Sequence, residues 1–455
     1  MIVMKFGGTS VESQQAIERV TRIVQSYEER RPVVVVSAMG KTTNKLLEAA
    51  REAAAGRREQ ALAIVDELRA LHLTHGLPLA GSAAAELDRY IRAHFEWLDE
   101  LVKGLSVVGE LSPRSMDAIA SVGERLSSLV VSFAFRAAGL RTQHVDARRV
   151  IVTDDRFTQA QPLFEETYAL LQEDVTPIAE TSVVVMGGFI GSTKNGQTTT
   201  LGRGGSDYSA SIVGAGINAE EIQIWTDVDG MLTADPRIIP NGRRVKSISF
   251  AEASEMAYFG AKVLHPATVL PAVEKNIPVR ILNSRRADIN GTIITSEPVP
   301  CRNPVKSISC KRGITILNIH STRMLMAHGF LRRIFELFDR YGTSVDMVST
   351  SEVSVSLTID NRENLDAICR ELREFAEASS EDGQAIICLI GENIRHTPGI
   401  AGRAFQVLQK KNIRMISQGA SLLNLGFVVS ENELEGAVAA LHDEFFSELD
   451  PAVFD

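Results

Sequence analysis

Continuous apolar runs alternate with helical spacing from residue 1 to about residue 296. The runs are Met1–Met4, Val33–Val36, Val150–Val152, Val183–Met186, Ile222–Trp225 and Val279–Leu282. Between the first two, Ile17, Val20, Val24 and Tyr27 recur at i, i+3, i+4 spacing, which predicts an amphipathic helix. Thr9-x-x-Glu12 offers a capping box for its start. A helix-rich insert is expected over 44–139. There Leu62, Val65, Leu68 and Leu71 mark one apolar face, and Tyr90, Phe95 and Leu98 fall in a further helix. Strands alternating with helices imply an α/β layer with a mainly parallel sheet.

The pattern breaks at Ser296-Glu297-Pro298-Val299-Pro300. Two prolines so close disfavour both helix and central strand, which places a linker at 297–306. Beyond it the chain repeats itself. Gly329, Arg333, Phe335 and Ser351 recur as Gly399, Arg403, Phe405 and Ser421 at one constant interval. Both copies read strand, helix, strand, strand, helix. The first predicts these over 314–319, 330–341, 344–348, 353–359 and 364–375; the second over 385–390, 400–411, 413–417, 425–429 and 434–446. Two copies are too few for a stacked array, so a pair of small α/β modules is expected. The expected domains are therefore 1–296, 307–380 and 381–455.

A net charge of −9 argues against broad binding of nucleic acid or anionic membrane. The apolar stretches fall short of the ~20 residues a spanning helix needs, and the N-terminus has no basic region before an apolar core. Cys301, Cys310, Cys369 and Cys388 lack CxxC spacing and read as thiols of a reducing cytosol. A cytoplasmic enzyme without nucleic-acid or membrane partners is expected.

Lys5-Phe6-Gly7-Gly8-Thr9-Ser10 puts a cation and two glycines where the first strand ends, a plausible cradle for phosphate. Ser37 to Asn44 follows the second strand, where hydroxyl groups either bind a ligand at the sheet's carboxyl edge or cap a helix. Gly40-Lys41-Thr42 is not a P-loop, because Val35 occupies the position of the required glycine. Glu124 lies in an apolar helical pattern; solvent exposure or pairing with Arg125 are the ordinary readings, a cationic ligand the sharper one. Gly202-Arg203-Gly204-Gly205-Ser206-Asp207 precedes a helix expected over 208–213 and suits an anion. Gly214 and Gly216 match a dinucleotide pattern in the wrong context, and helix C-capping accounts for them better. Thr226, Asp227, Asp229 and Arg237 follow a strand, and Lys262 ends a helical pattern; a turn and a surface lysine are their ordinary readings.

Taken together these motifs resemble the amino-acid kinase family and, within it, the branch acting on L-aspartate. The resemblance covers nearly the whole chain and implies an αβα sandwich followed by two ferredoxin-like ACT domains. It implies transfer of phosphate from ATP to the side-chain carboxylate of L-aspartate, the entry to lysine, threonine and methionine synthesis. By resemblance Lys5, Asp207 and Lys262 are catalytic, and Ser37, Thr43, Glu124 and Arg203 bind aspartate. Lys5, Phe6, Gly7, Gly8, Thr226, Asp227, Leu232, Arg237, Lys262 and Val263 would contact the nucleotide; many relatives carry an aromatic residue at Leu232. No protein cage for a metal is seen, so Mg²⁺ is expected to arrive on ATP. The first repeat resembles that of lysine-sensitive members. Met324, Phe330, Leu331, Ser344, Val345, Asp346, Thr350, Ser351 and Glu352 would bind a lysine effector, and the repeats imply a homodimer or higher homo-oligomer. The alternatives are a related kinase acting on N-acetylglutamate, glutamate, carbamate or UMP, and a non-catalytic amino-acid sensor. Glu124 argues against N-acetylglutamate, whose amine is uncharged.

Overall fold

The computed structural model describes every residue except 261–265, 298 and 323–327. Lys262, Val263 and Met324 therefore lie outside the described residues. The chain divides into two compact units, one of Met1–Met231 with Val263–Glu297 and one of Leu232–Lys262 with Pro298–Asp455.

In the first unit the strands are β1 (Ile2–Phe6), β2 (Pro32–Val36), β3 (Thr142–His144), β4 (Val152–Thr153), β5 (Val183–Gly187), β6 (Ile190–Thr193), β7 (Thr198–Thr200) and β8 (Glu221–Thr226). After β9 (Ser247–Ser249), which belongs to the second unit, come β10 (Val279–Asn283) and β11 (Thr292–Thr295). The main sheet of the first unit runs β3-β5-β2-β1-β8-β10-β11. Every pair is parallel except β10 with β11. β1, β2, β5 and most of β8 are buried on both faces, which is why they read as unbroken apolar runs. The expected strand at Val150–Val152 is a correction. Val150 ends a 3₁₀ turn, and only Val152–Thr153 pairs, in a small separate sheet β4-β6-β7.

Helices α1 (Gln14–Ser26), α2 (Thr42–Ala54), α3 (Arg58–Gly76), α4 (Ala84–Val108) and α5 (Pro113–Ala137) precede α6 (Phe164–Leu170), α7 (Thr176–Ala179) and α8 (Gly205–Gly216). α1 is capped by Ser13, which accepts from the Ala16 N–H at 3.3 Å; the expected Thr9–Glu12 box does not form, because Gly8–Ser10 is a separate 3₁₀ turn. The predicted insert is α2–α5. Val65, Leu68, Phe95 and Leu98 enter the core, whereas Tyr90 stays half exposed. α5 is long and apolar enough by composition to cross a membrane, but most of it is buried inside the unit. Gly214 and Gly216 lie inside α8, not beyond its end. A Cβ on them would come within 2.5 Å of Ile222 and 2.4 Å of Leu171, so close packing, not capping, selects glycine.

The second unit contains α9 (Phe250–Tyr258); α10 (Leu270–Glu274) returns to the first. Next come β12 (Ser307–His320), α11 (Phe330–Arg340), β13 (Val348–Thr350), β14 (Ser354–Ile359), α12 (Leu365–Leu372), β15 (Glu377–Ile390), α13 (Ile400–Val407), β16 (Met415–Gln418), β17 (Asn424–Ser430) and α14 (Leu434–Phe445). Both repeats show the predicted order. They share one sheet, β13-β14-β12-β15-β17-β16, because β12 and β15 pair antiparallel along their length. Ser307–Lys311 of β12 pairs with the end of β15, and the later half of β12 pairs with β14. Each βαββα copy thus borrows a fourth strand from the other and completes a ferredoxin-like module. The expected strand at 344–348 starts only at Val348. Asp346 and Met347 bond instead to the carbonyl and hydroxyl of Thr358, at 3.0 and 2.9 Å, and leave a loop.

Candidate active site

β1 and β2 end side by side, with Lys5 opposite Val35 and Phe6 opposite Val36. Beyond them the chain must turn tightly. The Gly40 N–H donates to the Gly8 carbonyl at 3.0 Å, and a Cβ on Gly8 would meet the carbonyl oxygens of Gly40 at 2.9 Å and Ala38 at 3.0 Å. Those neighbours are backbone and have no rotamer to change. Gly8→Ala is therefore expected to lower kcat/KM by about tenfold or more by shifting the Lys5 turn, as steady-state kinetics would show.

Phe6 and Trp225 are fully buried and stack at 5.8 Å, with Tyr27 edge-on to the indole at 6.2 Å. Phe6 is thus a core side chain that fixes the turn, not a side-chain contact for a ligand. The Gly7 N–H is also committed, donating to the Trp225 carbonyl at 3.1 Å, so it is no free phosphate donor.

A cleft of ≈ 400 Å³ opens at this carboxyl edge, lined among others by Lys5, Ser37, Thr43, Glu124, Arg203 and Asp207. Its size and mixed polarity suit a small polar molecule. Lys5 and Asp207 form an ion pair at 2.6 Å, both largely buried. Asp207 sits in the first turn of α8, behind Gly202 and Gly204, both at positive φ. Glycine is needed there for the αL turn that starts the helix. Gly205 is selected differently: its Cβ would fall 2.6 Å from the Phe189 ring. Arg203 is exposed and has no ion-pair partner among the described residues.

Glu124 resolves its open alternatives. It neither reaches solvent nor pairs with Arg125, whose guanidinium bonds to His94 at 3.0 Å. Its Oε1 accepts from the Ala38 N–H at 3.2 Å, and its buried Oε2 has no partner among the described residues. Burial pushes its pKa up to about 8, against the smaller opposing effect of the hydrogen bond from the Ala38 N–H. An unpaired carboxyl aimed into a cleft calls for a cation. Ser37 is held by its backbone: its N–H donates to the Phe6 carbonyl, and its carbonyl accepts from Ser127 Oγ at 2.7 Å. The Ser37–Asn44 stretch does not cap α2, whose N-cap Lys41 makes no side-chain cap. Phe189 was not singled out in the sequence. It follows Gly187-Gly188, lines the cleft and adopts φ +66, held by a bond from its N–H to Ser209 Oγ at 2.8 Å.

Of the remaining expected nucleotide residues in the first unit, Thr226 and Asp227 do not line this cleft. Thr226 bonds to Asp227, and Asp229 is held by Asn283 and Arg286. Leu232 and Arg237 belong to the second unit, and the Arg237 fork is already engaged by Asp235. In the first repeat, Leu331, Ser344, Thr350, Ser351 and Glu352 are exposed, whereas Phe330 packs edge-on against Phe375 at 5.7 Å. The Asp346 carboxylate is nearly buried.

A cation at a strand end and an acid-bearing helix start around a polar cleft define a carboxylate or phosphate handling site, and residues 1–283 match the model of the amino acid kinase family. Residues 387–445 match an ACT domain model. The chain is 41% identical over 98% of its length to aspartokinase 1, chloroplastic, of Arabidopsis thaliana, covering 80% of that protein. It is 37% identical over 98% of its length to lysine-sensitive aspartokinase 3 of Escherichia coli, covering 99% of it. The crystal structure of E. coli aspartokinase III in complex with aspartate and ADP superposes with a TM-score of 0.84, at 36% identity, covering 98% of this chain and 100% of that one. The chain belongs to the aspartokinase family.

Proposed function

We propose that the cleft binds L-aspartate and directs its side-chain carboxylate onto the γ-phosphoryl group of ATP, giving 4-phospho-L-aspartate. The observation that carries this reading is the pairing, in one cleft, of a buried carboxyl (Glu124) and an arginine (Arg203), neither with an ion-pair partner among the described residues, with an ion-paired lysine (Lys5). An α-amino acid needs one anionic and one cationic contact; Glu124 would take the ammonium and Arg203 the α-carboxylate. Ser37 and Thr43 line the same pocket. The E. coli relative's complex with aspartate and ADP supports this choice of substrate.

The acceptor carboxylate has a pKa of about 4 and is ionised at neutral pH, so no general base is required. The obstacle is repulsion between an anionic nucleophile and a polyanion, and charge neutralisation with positioning should dominate. Lys5 would stabilise the moving phosphoryl group, with Asp207 orienting it. Lys262 and Val263, with Thr226, Asp227, Leu232 and Arg237, are proposed nucleotide contacts. ATP-dependent kinases of this kind need a divalent ion, and we assign Mg²⁺. Among the described residues no group of three or more His, Cys, Asp or Glu could hold a metal. The ion would ride on the phosphates, with Asp207, beside Lys5 in the cleft, as a carboxylate that could help place it.

The E. coli relative is lysine-sensitive by name, which supports lysine as effector of the first repeat. Gly329, at φ +84, starts α11, whose N-terminus would take an effector carboxylate, while Asp346 would take an ammonium group. Asp346→Asn is expected to raise the lysine concentration for half-inhibition about tenfold or more, with uninhibited kcat little changed. An unchanged lysine response would remove Asp346 from the effector site. A cytoplasmic homodimer formed through the repeats, with catalysis in 1–296 and ACT modules in 307–380 and 381–455, completes the proposal.

A further inference from the structure

We propose that Tyr258 is a positioning residue that ties occupancy of Asp346 by a cationic effector to helix α9, and through that helix to turnover. The inference rests on the reading of Asp346 as an effector contact and adds how that contact reaches the catalytic machinery.

α9 is fixed at three points, all within the second unit. At its start Ser249 and Glu252 form a reciprocal capping box, and Glu252 also pairs with Lys306 at 3.0 Å, both side chains fully buried. Such a pair is costly to break and holds the helix start firmly. Midway, Glu255 accepts from Ser421 Oγ at 2.8 Å and Asn424 Nδ2 at 2.7 Å. Ser421 is the second-repeat counterpart of Ser351, so the loop equivalent to the effector loop grips this helix. At its end, Tyr258 Oη donates to Asp346 Oδ1 at 3.1 Å. One loop from each repeat, the segment before β13 and the turn between β16 and β17, thus bonds to one short helix that ends four residues before Lys262.

The Asp346 contact can change. Lys311 Nζ lies 2.7 Å from Asp346 Oδ1 and 2.7 Å from Asp360, and 5.5 Å from the Tyr258 ring centre. Among the described residues one cation thus serves two carboxylates, one positive charge fewer than the pair would balance. Asp346 Oδ2 is buried with no partner among the described residues. An incoming ammonium at Oδ2 would supply that charge. It would also repel Lys311 and weaken the pull of Oδ1 on the Tyr258 hydroxyl. Gly260, two residues beyond α9, is closely packed. Gly260 has φ +119, and a Cβ there would fall 2.1 Å from the carbonyl oxygen of Cys310, the neighbour of Lys311.

The test uses the full chain, wild type and Tyr258→Phe, with lysine as the probe. Lysine affinity is read by calorimetry, and residual turnover is read at saturating lysine. Tyr258→Phe is expected to keep uninhibited kcat within about twofold and lysine Kd within about threefold. Its residual turnover under saturating lysine should rise about fivefold or more above wild type, because coupling and not binding is lost. Equal residual turnover in the two proteins overturns the Tyr258 link while leaving the effector reading intact. A wild-type chain that binds no lysine overturns the effector reading and this inference with it.

Discussion

Lys5→Ala is expected to lower kcat by about 10²–10³-fold or more, the loss typical of removing one preorganised donor from a developing charge. Lys5 is 9% exposed, and its partner at 2.6 Å is Asp207. The alanine variant removes the cation and leaves a partly buried carboxylate without it. Some stability is lost, but the core around β1 is made by Ile2, Val3, Met4 and Phe6, which remain. A folded near-UV circular dichroism spectrum with collapsed turnover is the expected pair of readings. Asp207→Asn should cost less than Lys5→Ala if Asp207 mainly orients the lysine. Near-normal kcat in Lys5→Ala would take Lys5 out of the mechanism.

The second large effect concerns Glu124. Replacing it with Gln should lower kcat/KM for aspartate by about 10–100-fold, the range expected for loss of a hydrogen bond to a charged group. The pH profile distinguishes this from simple damage. Burial raises the Glu124 pKa to about 8, so near neutrality the empty site holds mostly the protonated acid. Only the ionised form attracts an ammonium, so KM for aspartate in the wild type should fall as pH rises through about 8. Glu124→Gln should lose that limb. Stability carries the opposite sign. The unfolded chain's Glu124 ionises at its ordinary value of 4.5, whereas the native one stays protonated to about 8, so the empty native state loses stability as pH climbs across that window. The Gln variant should lack this loss. A KM for aspartate that ignores pH in the wild type would contradict the role given to Glu124.

Much of the scaffold was legible because its strands are buried on both faces and hence uniformly apolar, as at Val33–Val36 and Val183–Met186. The repeat was legible because Gly329 and Gly399 both start helices at positive φ, where glycine is favoured. Local cues failed where tertiary contacts decide. Ser13 outcompetes Thr9 as cap because the chain first makes a separate turn. The strand expected at 344–348 gives way to a loop because Thr358 captures the backbone of Asp346 and Met347. The exchange of strands between the repeats was invisible, since β12 and β15 each serve both modules and no pattern along either strand marks the handover. In the site, Lys5, Arg203 and Asp207 stood out by motif. The environment of Glu124 did not, because its isolation depends on how α5 packs beside Ala38.

The most direct test is trapping of the acyl phosphate with hydroxylamine. The purified chain with ATP, Mg²⁺ and L-aspartate should give aspartyl hydroxamate in step with ADP release, and Lys5→Ala should give almost none. ADP release that requires N-acetylglutamate, glutamate, carbamate or UMP, with no hydroxamate from aspartate, would contradict the account.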